Sequence, residues 1–322
     1  MKRPLIILTG PTAVGKTALS IQLAKALNGE IISADSMQVY RHMDIGSAKV
    51  TPEEMEGIPH HLIDVLEPWE DFNVTRFQTM AKNAMEEIYA RGHVPIVTGG
   101  TGFYIQALAY DIDFKENDGS GIIRRELEQL GEERGNEYLH GILAEIDPES
   151  AQLIHANNRK RIIRAIEYYR MTGEQISKHN QTEHEKESPY RLFYYVLTCE
   201  RKTLYERIDR RVDLMLEQGL LEEVKRLRDM GCSRGMVSMQ GLGYKEILDY
   251  LDGDCTLEEA VYVMKRDTRH FAKRQVTWFK RERDVRWLFL EEFGGSREKV
   301  LAHILDEFYK EEKKTSGIGA NV

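Results

Sequence analysis

Residues 8–19 read LTGPTAVGKTAL. An apolar run (LIILT, 5–9) leads into Gly10, four residues separate it from Gly15, and Lys16 and Thr17 follow at once. This order predicts a buried strand, a tight loop, and a helix from 16 to about 27 that stops at Asn28-Gly29. A G-x-x-x-x-G-K-T loop in that setting aims backbone N–H groups at an anion, with the positive end of a helix dipole behind them. Gly10, Pro11, Thr12, Ala13, Val14, Gly15, Lys16 and Thr17 are thus candidate phosphate ligands, and the Thr17 hydroxyl is a candidate ligand for Mg²⁺. The plainer reading is a glycine turn that only packs a helix on a sheet. Agreement at every fixed position and on both flanks argues against it.

Working outward, EIISA (30–34), HLIDVL (61–66) and VPIVT (94–98) read as further strands, with helices over 75–91 and from about 101. Strand and helix in alternation predict an α/β fold with a parallel-sheet core. From 112 to 190 the strand signals vanish and GIIRRELEQL, NEYLHGILAEI, PESAQLI and NRKRIIRAIEYYR read as helices, with Asp147-Pro148 as a helix start. The polar stretch 179–189 reads as a loop. LFYYVLT (192–198) returns to strand, 203–230 to helix with a break at Gly219, and WLFLE (287–291) to a last strand. Thr256 and Glu259 form a capping box at the head of the longest helix, expected over 256–283. The expected organisation is a P-loop α/β core over 1–111, an all-helical insert over 112–190, the rest of the core over 191–311, and a flexible tail over 312–322.

The chain has 322 residues, 41% hydrophobic and 30% charged, with a net charge of −8. That balance disfavours a generic nucleic-acid binder, although local patches can escape the average. Three widely spaced cysteines form no disulfide framework and no zinc pattern. The apolar stretch Pro4–Leu8 is too short for a signal peptide or a membrane span, so the expected setting is the cytoplasm, with no membrane partner.

Several residues outside the first loop could carry chemistry. Asp35 ends the second strand, on the rim where open α/β sheets bind ligands; it reads as a general base, a Mg²⁺ ligand or a cap. VTGGTGFY (97–104) repeats the strand–glycine turn–helix pattern on the same rim, with Thr101 at a helix N-terminus. Arg207, Arg210 and Arg211 follow the 192–198 strand; arginine suits phosphate oxygens, while surface ion pairing accounts for at least two of the three. Arg159, Lys160 and Arg161 sit at the positive end of a helix dipole, where cations are unfavourable unless a polyanion docks. KRDTRHFAKRQVTWFKRER (265–283) is a second basic stretch with aromatics interleaved, as in RNA-contacting segments.

A P-loop with arginines and an acidic rim residue also suits a small-molecule kinase, although a basic helical insert does not. GPTAVGKT (10–17), DSMQVYR (35–41), GGTGFY (99–104), NRKRIIRAIEYY (158–169), QGLGYKE (240–246) and TRHFAKRQVTWF (268–279), in this order, together resemble the bacterial tRNA dimethylallyltransferases. The resemblance implies transfer of a dimethylallyl group from dimethylallyl diphosphate to N6 of adenine 37 of a tRNA anticodon stem-loop with an A36-A37-A38 run. The P-loop would hold the departing diphosphate with Mg²⁺ at Thr17. Asp35, Thr101 and Arg211 would be catalytic. Asp35, Ser36, Met37, Gln38 and Thr101 would also meet the flipped base and its neighbours. Arg124, Arg159, Lys160, Arg161, Ile162 and Ile163 of the insert would clamp the stem, and Gln240, Gly241, Lys245, Lys273, Arg274, Gln275 and Trp278 would complete the RNA channel. The enzyme would act as a monomer.

Overall fold

The computed structural model describes residues 2–114 and 121–315. In chain order the first elements are β1 (Pro4–Thr9), α1 (Lys16–Leu27), β2 (Gly29–Ala34), α2 (Pro52–Met55), β3 (His60–His61), α3 (Val74–Ala90), β4 (Val94–Gly99) and α4 (Gly102–Ala109). Then come the helices α5 (Ile122–Arg134), α6 (Asn136–Ile146), α7 (Pro148–Leu153), α8 (Arg159–Thr172) and α9 (Ile176–Glu185). The chain closes with β5 (Arg191–Thr198), α10 (Arg201–Glu217), α11 (Leu220–Asp229), α12 (Tyr244–Leu251), α13 (Leu257–Phe279), β6 (Val285–Phe289) and α14 (Arg297–Thr315). Tyr110–Ser188 form one compact unit, and the chain on either side of them forms the other. Among the described residues no helix is long and apolar enough to cross a membrane.

The larger unit is built on a six-stranded parallel sheet of order β3-β2-β4-β1-β5-β6. Its central strands are near-continuous apolar runs because helices cover both faces. Leu5, Ile6, Ile7 and Leu8 of β1 are fully buried, as are Tyr194–Leu197 of β5. The strand order positions the site. From β1 the chain crosses over β4 to reach β2, whereas from β4 it leaves toward β5 on the other side. The outgoing connections of neighbouring strands β1 and β4 therefore run in opposite directions, and a crevice opens at their carboxyl ends. Two reciprocal bonds pin the strands just below it: Thr9 Oγ1 donates to the Gly99 carbonyl (2.8 Å) and Thr98 Oγ1 to that of Leu8 (3.0 Å).

The smaller unit packs Leu127, Leu139, Leu143, Ile162, Ile163 and Ile166 into its own apolar core. Asp147 caps α7 as its sequence predicts, accepting from Ser150 N (3.0 Å), and also receives Ser177 N (3.0 Å) at the head of α9.

Four expectations need correction. The third strand covers only His60–His61; residues 62–66 turn away, with Leu62 and Asp64 in the left-handed region. The polar stretch from 179 is helical to Glu185, because Glu183 is buried and accepts the backbone N–H of Asp113 (2.9 Å). The longest helix stops at Phe279. Residues 312–315 continue α14 rather than fraying, and 316–322 of the expected tail lie outside the described residues.

Candidate active site

The P-loop spans the gap between β1 and α1. Gly10 adopts φ +143°, and a Cβ there would collide with the Leu197 carbonyl on β5, so no other residue fits. Lys16 folds back over the loop, donating to the carbonyls of Gly10 (3.0 Å) and Pro11 (2.8 Å). Burial first and then the Arg211 charge push its ammonium down to about 7, with Asp35 acting in the opposite direction. Burial also lowers Arg211, again with Asp35 opposing. Arg211 Nη1 approaches Thr12 Oγ1 (3.4 Å) and Arg207 Nη1 the Val14 carbonyl (3.4 Å). Arg207 is therefore a loop contact rather than a surface ion-pair residue. The loop carries concentrated positive charge, and Asp35 is the carboxylate whose field both Lys16 and Arg211 feel.

Asp35 follows β2 directly. Its Oδ1 accepts the N–H of Met37 (2.8 Å) and, more weakly, of Gln38 (3.4 Å), fixing the side chain in a local turn. The second carboxylate oxygen has no hydrogen bond among the described residues. Thr101 stands at the head of α4, its N–H on the Ala34 carbonyl (3.2 Å), so it is tied to the strand end that leads to Asp35. The two glycine turns are joined by one side chain. Gln275 of α13 accepts Thr12 N at Oε1 (2.8 Å) and donates from Nε2 to the Gly100 carbonyl (2.9 Å). A Cβ on Gly100 would occupy the place of that amide.

A cavity of about 930 Å³ opens over the loop, lined by Lys16, Thr17, Arg207, Arg210, Arg211 and Arg297 among others. Thr17 is exposed and its hydroxyl makes no hydrogen bond among the described residues. A free hydroxyl beside a phosphate loop suits a hard cation such as Mg²⁺. Among the described residues no group of three His, Cys, Asp or Glu side chains could hold a metal by itself, so water and the oxygens of a bound anion would supply the rest of its shell.

The sequence-predicted RNA contacts separate into free and engaged groups. Lys273, Arg274 and Trp278 line a second cavity of about 360 Å³ on α13 with His270, Thr277 and Arg281. Phe103 of α4 meets Trp278 edge to face (6.1 Å). Lys245 reaches Glu246 (3.3 Å). Gly241 packs on Met37, whose Sδ would lie 2.7 Å from a Cβ there. Ser36 is half-buried beside them, and Gln240 donates to the Arg234 carbonyl. Gln38 is engaged within the fold, donating to the Ala48 carbonyl (3.1 Å) and accepting from Ser33 Oγ (3.1 Å). Gln275 is 6% exposed and both ends of its amide hold the glycine turns, which makes it a positioning residue and removes it from the RNA channel.

In the smaller unit Ile162 and Ile163 are core residues, not RNA contacts. Arg124 forms a two-pronged pair with the buried Glu167 (2.7 and 3.2 Å), and Arg159 donates to Asn136 (2.7 Å). Lys160 and Arg161 are exposed at the head of α8 and remain available.

Sequence reading missed the device that shapes the cavity wall. Buried Glu223 accepts the N–H groups of Asp44 (3.0 Å), Ile45 (2.8 Å) and Gly46 (3.1 Å) and the Tyr244 hydroxyl (2.8 Å). Burial, reinforced by Glu223, pushes Tyr244 well above the usual phenol range. Its only signal in the sequence is an acid in the first turn of an amphipathic helix, a position that ordinarily indicates dipole compensation.

The chain matches the family model for IPP transferase over residues 38–282 and that for isopentenyl transferase over 3–68. A tRNA dimethylallyltransferase of Lachnoclostridium phytofermentans is 61% identical over 308 residues, covering 96% of this chain and 97% of the relative. The crystal structure of a tRNA delta(2)-isopentenylpyrophosphate transferase from Staphylococcus epidermidis superposes with a TM-score of 0.71 at 45% identity, covering 96% of this chain and all of that one (100%). A eukaryotic dimethylallyltransferase acting on tRNA gives a TM-score of 0.78 at 33% identity, over 89% of this chain and 74% of its own.

Proposed function

The chain belongs to the IPP transferase family of tRNA dimethylallyltransferases, and from that premise we propose that it transfers the dimethylallyl group of dimethylallyl diphosphate to N6 of adenine 37 in tRNAs with an A36-A37-A38 run. The observation that carries this reading is the pairing of a cation-rich phosphate loop with a carboxylate on the next strand end, Asp35, whose field reaches both Lys16 and Arg211.

The reaction breaks the bond between the allylic carbon and a diphosphate oxygen, and the electron pair leaves with the diphosphate. A new carbon–nitrogen bond forms to the exocyclic amine, which gives up one proton. Lys16 and Arg211 stabilise the charge that grows on the leaving group, in a setting where water screens them poorly. Arg207 and Gln275 hold the loop's shape, so the donors need not reorganise during the reaction. Asp35 has one oxygen locked by Met37 N and another free to accept the amine proton, a weak nucleophile's main requirement. Thr101 supplies a hydroxyl from the neighbouring helix start to orient the donor. The Thr17 hydroxyl would hold Mg²⁺, which would neutralise part of the diphosphate charge.

The base must leave its stack to reach Asp35, and the turn Ser36–Gln38 with Gly241 lies beside that carboxylate. Lys245, Lys273, Arg274 and Trp278 supply cations and a stacking face for the flanking nucleotides. Lys160 and Arg161 of the helical unit, with Arg159 behind them, take the anticodon stem. The enzyme works as a monomer in the cytoplasm.

Incubation with labelled dimethylallyl diphosphate and an A36-A37-A38 stem-loop tests the reading. Label must enter that RNA, and a loop with guanine at 37 must stay unlabelled. Release of ADP from ATP without RNA, and no label transfer, would replace the prenyl donor by a phosphoryl donor.

A further inference from the structure

We propose that Arg297 is a donor-binding residue: it lies over the P-loop in the free protein and closes on the distal phosphate of the diphosphate when the donor arrives. The proposal rests on the reading that the loop holds a diphosphate.

Arg297 opens α14, which packs along α1, the helix that carries the loop. Its guanidinium covers Gly15. A Cβ built on that glycine would stand 3.0 Å from Nη2, 3.2 Å from Nε and 3.3 Å from Cζ. Glycine, at φ +103°, leaves the space for this cover. Arg297 lines the same cavity as Lys16, Thr17 and Arg211, entering from the opposite end of the sequence.

The charge balance of that cavity is the second observation. Each acid of its wall bonds a group other than Arg297, although the Glu54 charge also reaches Arg211. Asp44 pairs with Lys49 (2.6 Å), Glu54 accepts Thr51 N (3.0 Å), Glu56 pairs with Lys25, and Glu298 accepts the Ser296 hydroxyl (2.7 Å). Arg297 forms no hydrogen bond or ion pair among the described residues, its neighbour Glu298 being bonded to Ser296 instead. It also stands in the first turn of a 19-residue helix, where the dipole disfavours a cation. A side chain placed for stability alone would be an acid there. An arginine kept unpaired against the dipole, over a phosphate loop, presents a planar fork to incoming phosphate oxygens.

The test is calorimetric titration of the full chain with inorganic diphosphate in Mg²⁺, for the native protein, Arg297→Ala, Arg297→Lys and Lys16→Ala. Loss of one charge-assisted contact should raise the dissociation constant of Arg297→Ala about tenfold to a hundredfold, with partial recovery in Arg297→Lys. The KM for dimethylallyl diphosphate should rise alongside, with kcat changed far less. Because the substitution removes a cation from a helix N-terminus, the melting temperature should hold or rise. Native-like diphosphate binding by Arg297→Ala, beside lost binding in Lys16→Ala, would overturn the role of Arg297 and leave the diphosphate reading intact. A lowered melting temperature that tracks the affinity loss would reduce Arg297 to a structural residue. No diphosphate binding by the native chain, or none lost in Lys16→Ala, would remove the diphosphate reading itself.

Discussion

Glu30, near the start of β2, and Lys16, just past the end of β1, are charged groups held from water at opposite ends of one sheet, and the fold treats them in opposite ways. Glu30 is fully compensated. Arg91 bonds both its oxygens (2.8 and 2.8 Å), and His61 (2.7 Å) and His93 (2.7 Å) add one hydrogen bond each. Burial alone would push this carboxyl up, but the three partners outweigh it and hold it down to about 2. Lys16 bonds only carbonyls, and burial and then a second cation, Arg211, outweigh the Asp35 charge and push it down to about 7. One end of the sheet is electrostatically closed and contributes stability. The other is under-compensated, which suits an incoming anion.

The sharpest break between the two ends should appear in catalysis. Asp35→Ala should lower kcat by about 10²–10⁴-fold, the usual size of an acid–base contribution, while tRNA affinity changes little. Single-turnover rates and filter binding measure the two separately. Equal loss in both would turn Asp35 into a structural cap.

At the closed end, Glu30→Gln should destabilise without touching turnover. The substitution leaves Arg91 unpaired, but that guanidinium is 44% exposed and can turn to water, so the loss should be about 1–3 kcal/mol rather than that of a sealed pair. Its pH dependence has a definite sign. A carboxyl whose folded value is depressed contributes stability that is complete above its ordinary value of 4.5 and is lost as pH falls toward about 2. The gap between native and variant in urea unfolding should therefore shrink from about pH 6 to about pH 3. A constant gap would mean that Glu30 acts through packing alone.

Gln275 lies between these extremes. Its two hydrogen bonds join glycine turns more than eighty residues apart in sequence, Thr12 and Gly100. Gln275→Ala should lower kcat/KM by about 10–100-fold, as expected for lost positioning. Affinity for the stem-loop should stay native, which an RNA contact would not allow.

What the sequence discloses follows the range of the interactions involved. The P-loop, the strand–helix alternation, the capping box at Thr256 and the N-cap at Asp147 are local patterns, and the fold reproduces them. Even the broken helix at Gly219 is local, since its φ of +100° demands glycine. HLIDVL reads as a full strand because it is largely apolar, but the strand stops at His61 because Leu62 and Asp64 take left-handed turns. Gln275, Ile162 and Ile163 show the limit in the site. Each lies in a basic or phosphate-facing motif, but helix phase turns Ile162 and Ile163 into a core, and a partner 263 residues away claims Gln275. Arg297 and Glu223 show locally only a charge in the first turn of a helix, and what defines them is the wall they face.

A smaller effect sharpens the contrast at Lys16. An anion in the loop adds opposite charge to the little that Asp35 supplies, so it should raise the ammonium from about 7 toward its ordinary 10.5. Between those values the free lysine is largely neutral and the bound one charged. Diphosphate binding near pH 8 should then take up a fraction of a proton, and affinity should weaken as pH rises through that range. Titration in two buffers of different ionisation heat reads the uptake directly. Equal heats after buffer correction, with no proton taken up, would mean that Lys16 is already charged in the free protein.

The smallest expected effect concerns the helical unit, where cations are mostly claimed by the fold. Arg124 serves Glu167 and Arg159 serves Asn136, so only Lys160 and Arg161 stand exposed at the head of α8. If these two meet phosphates, neutralising both should flatten the slope of log affinity against log salt by about 0.7 for each lost contact, with kcat at saturating RNA unchanged. Neutralising Arg124 should instead lower stability and leave the slope native, because its guanidinium is already matched to a buried carboxylate. An unchanged slope in the Lys160 and Arg161 variant would assign RNA affinity to α13, whose Lys273 and Arg274 line the second cavity beside Trp278.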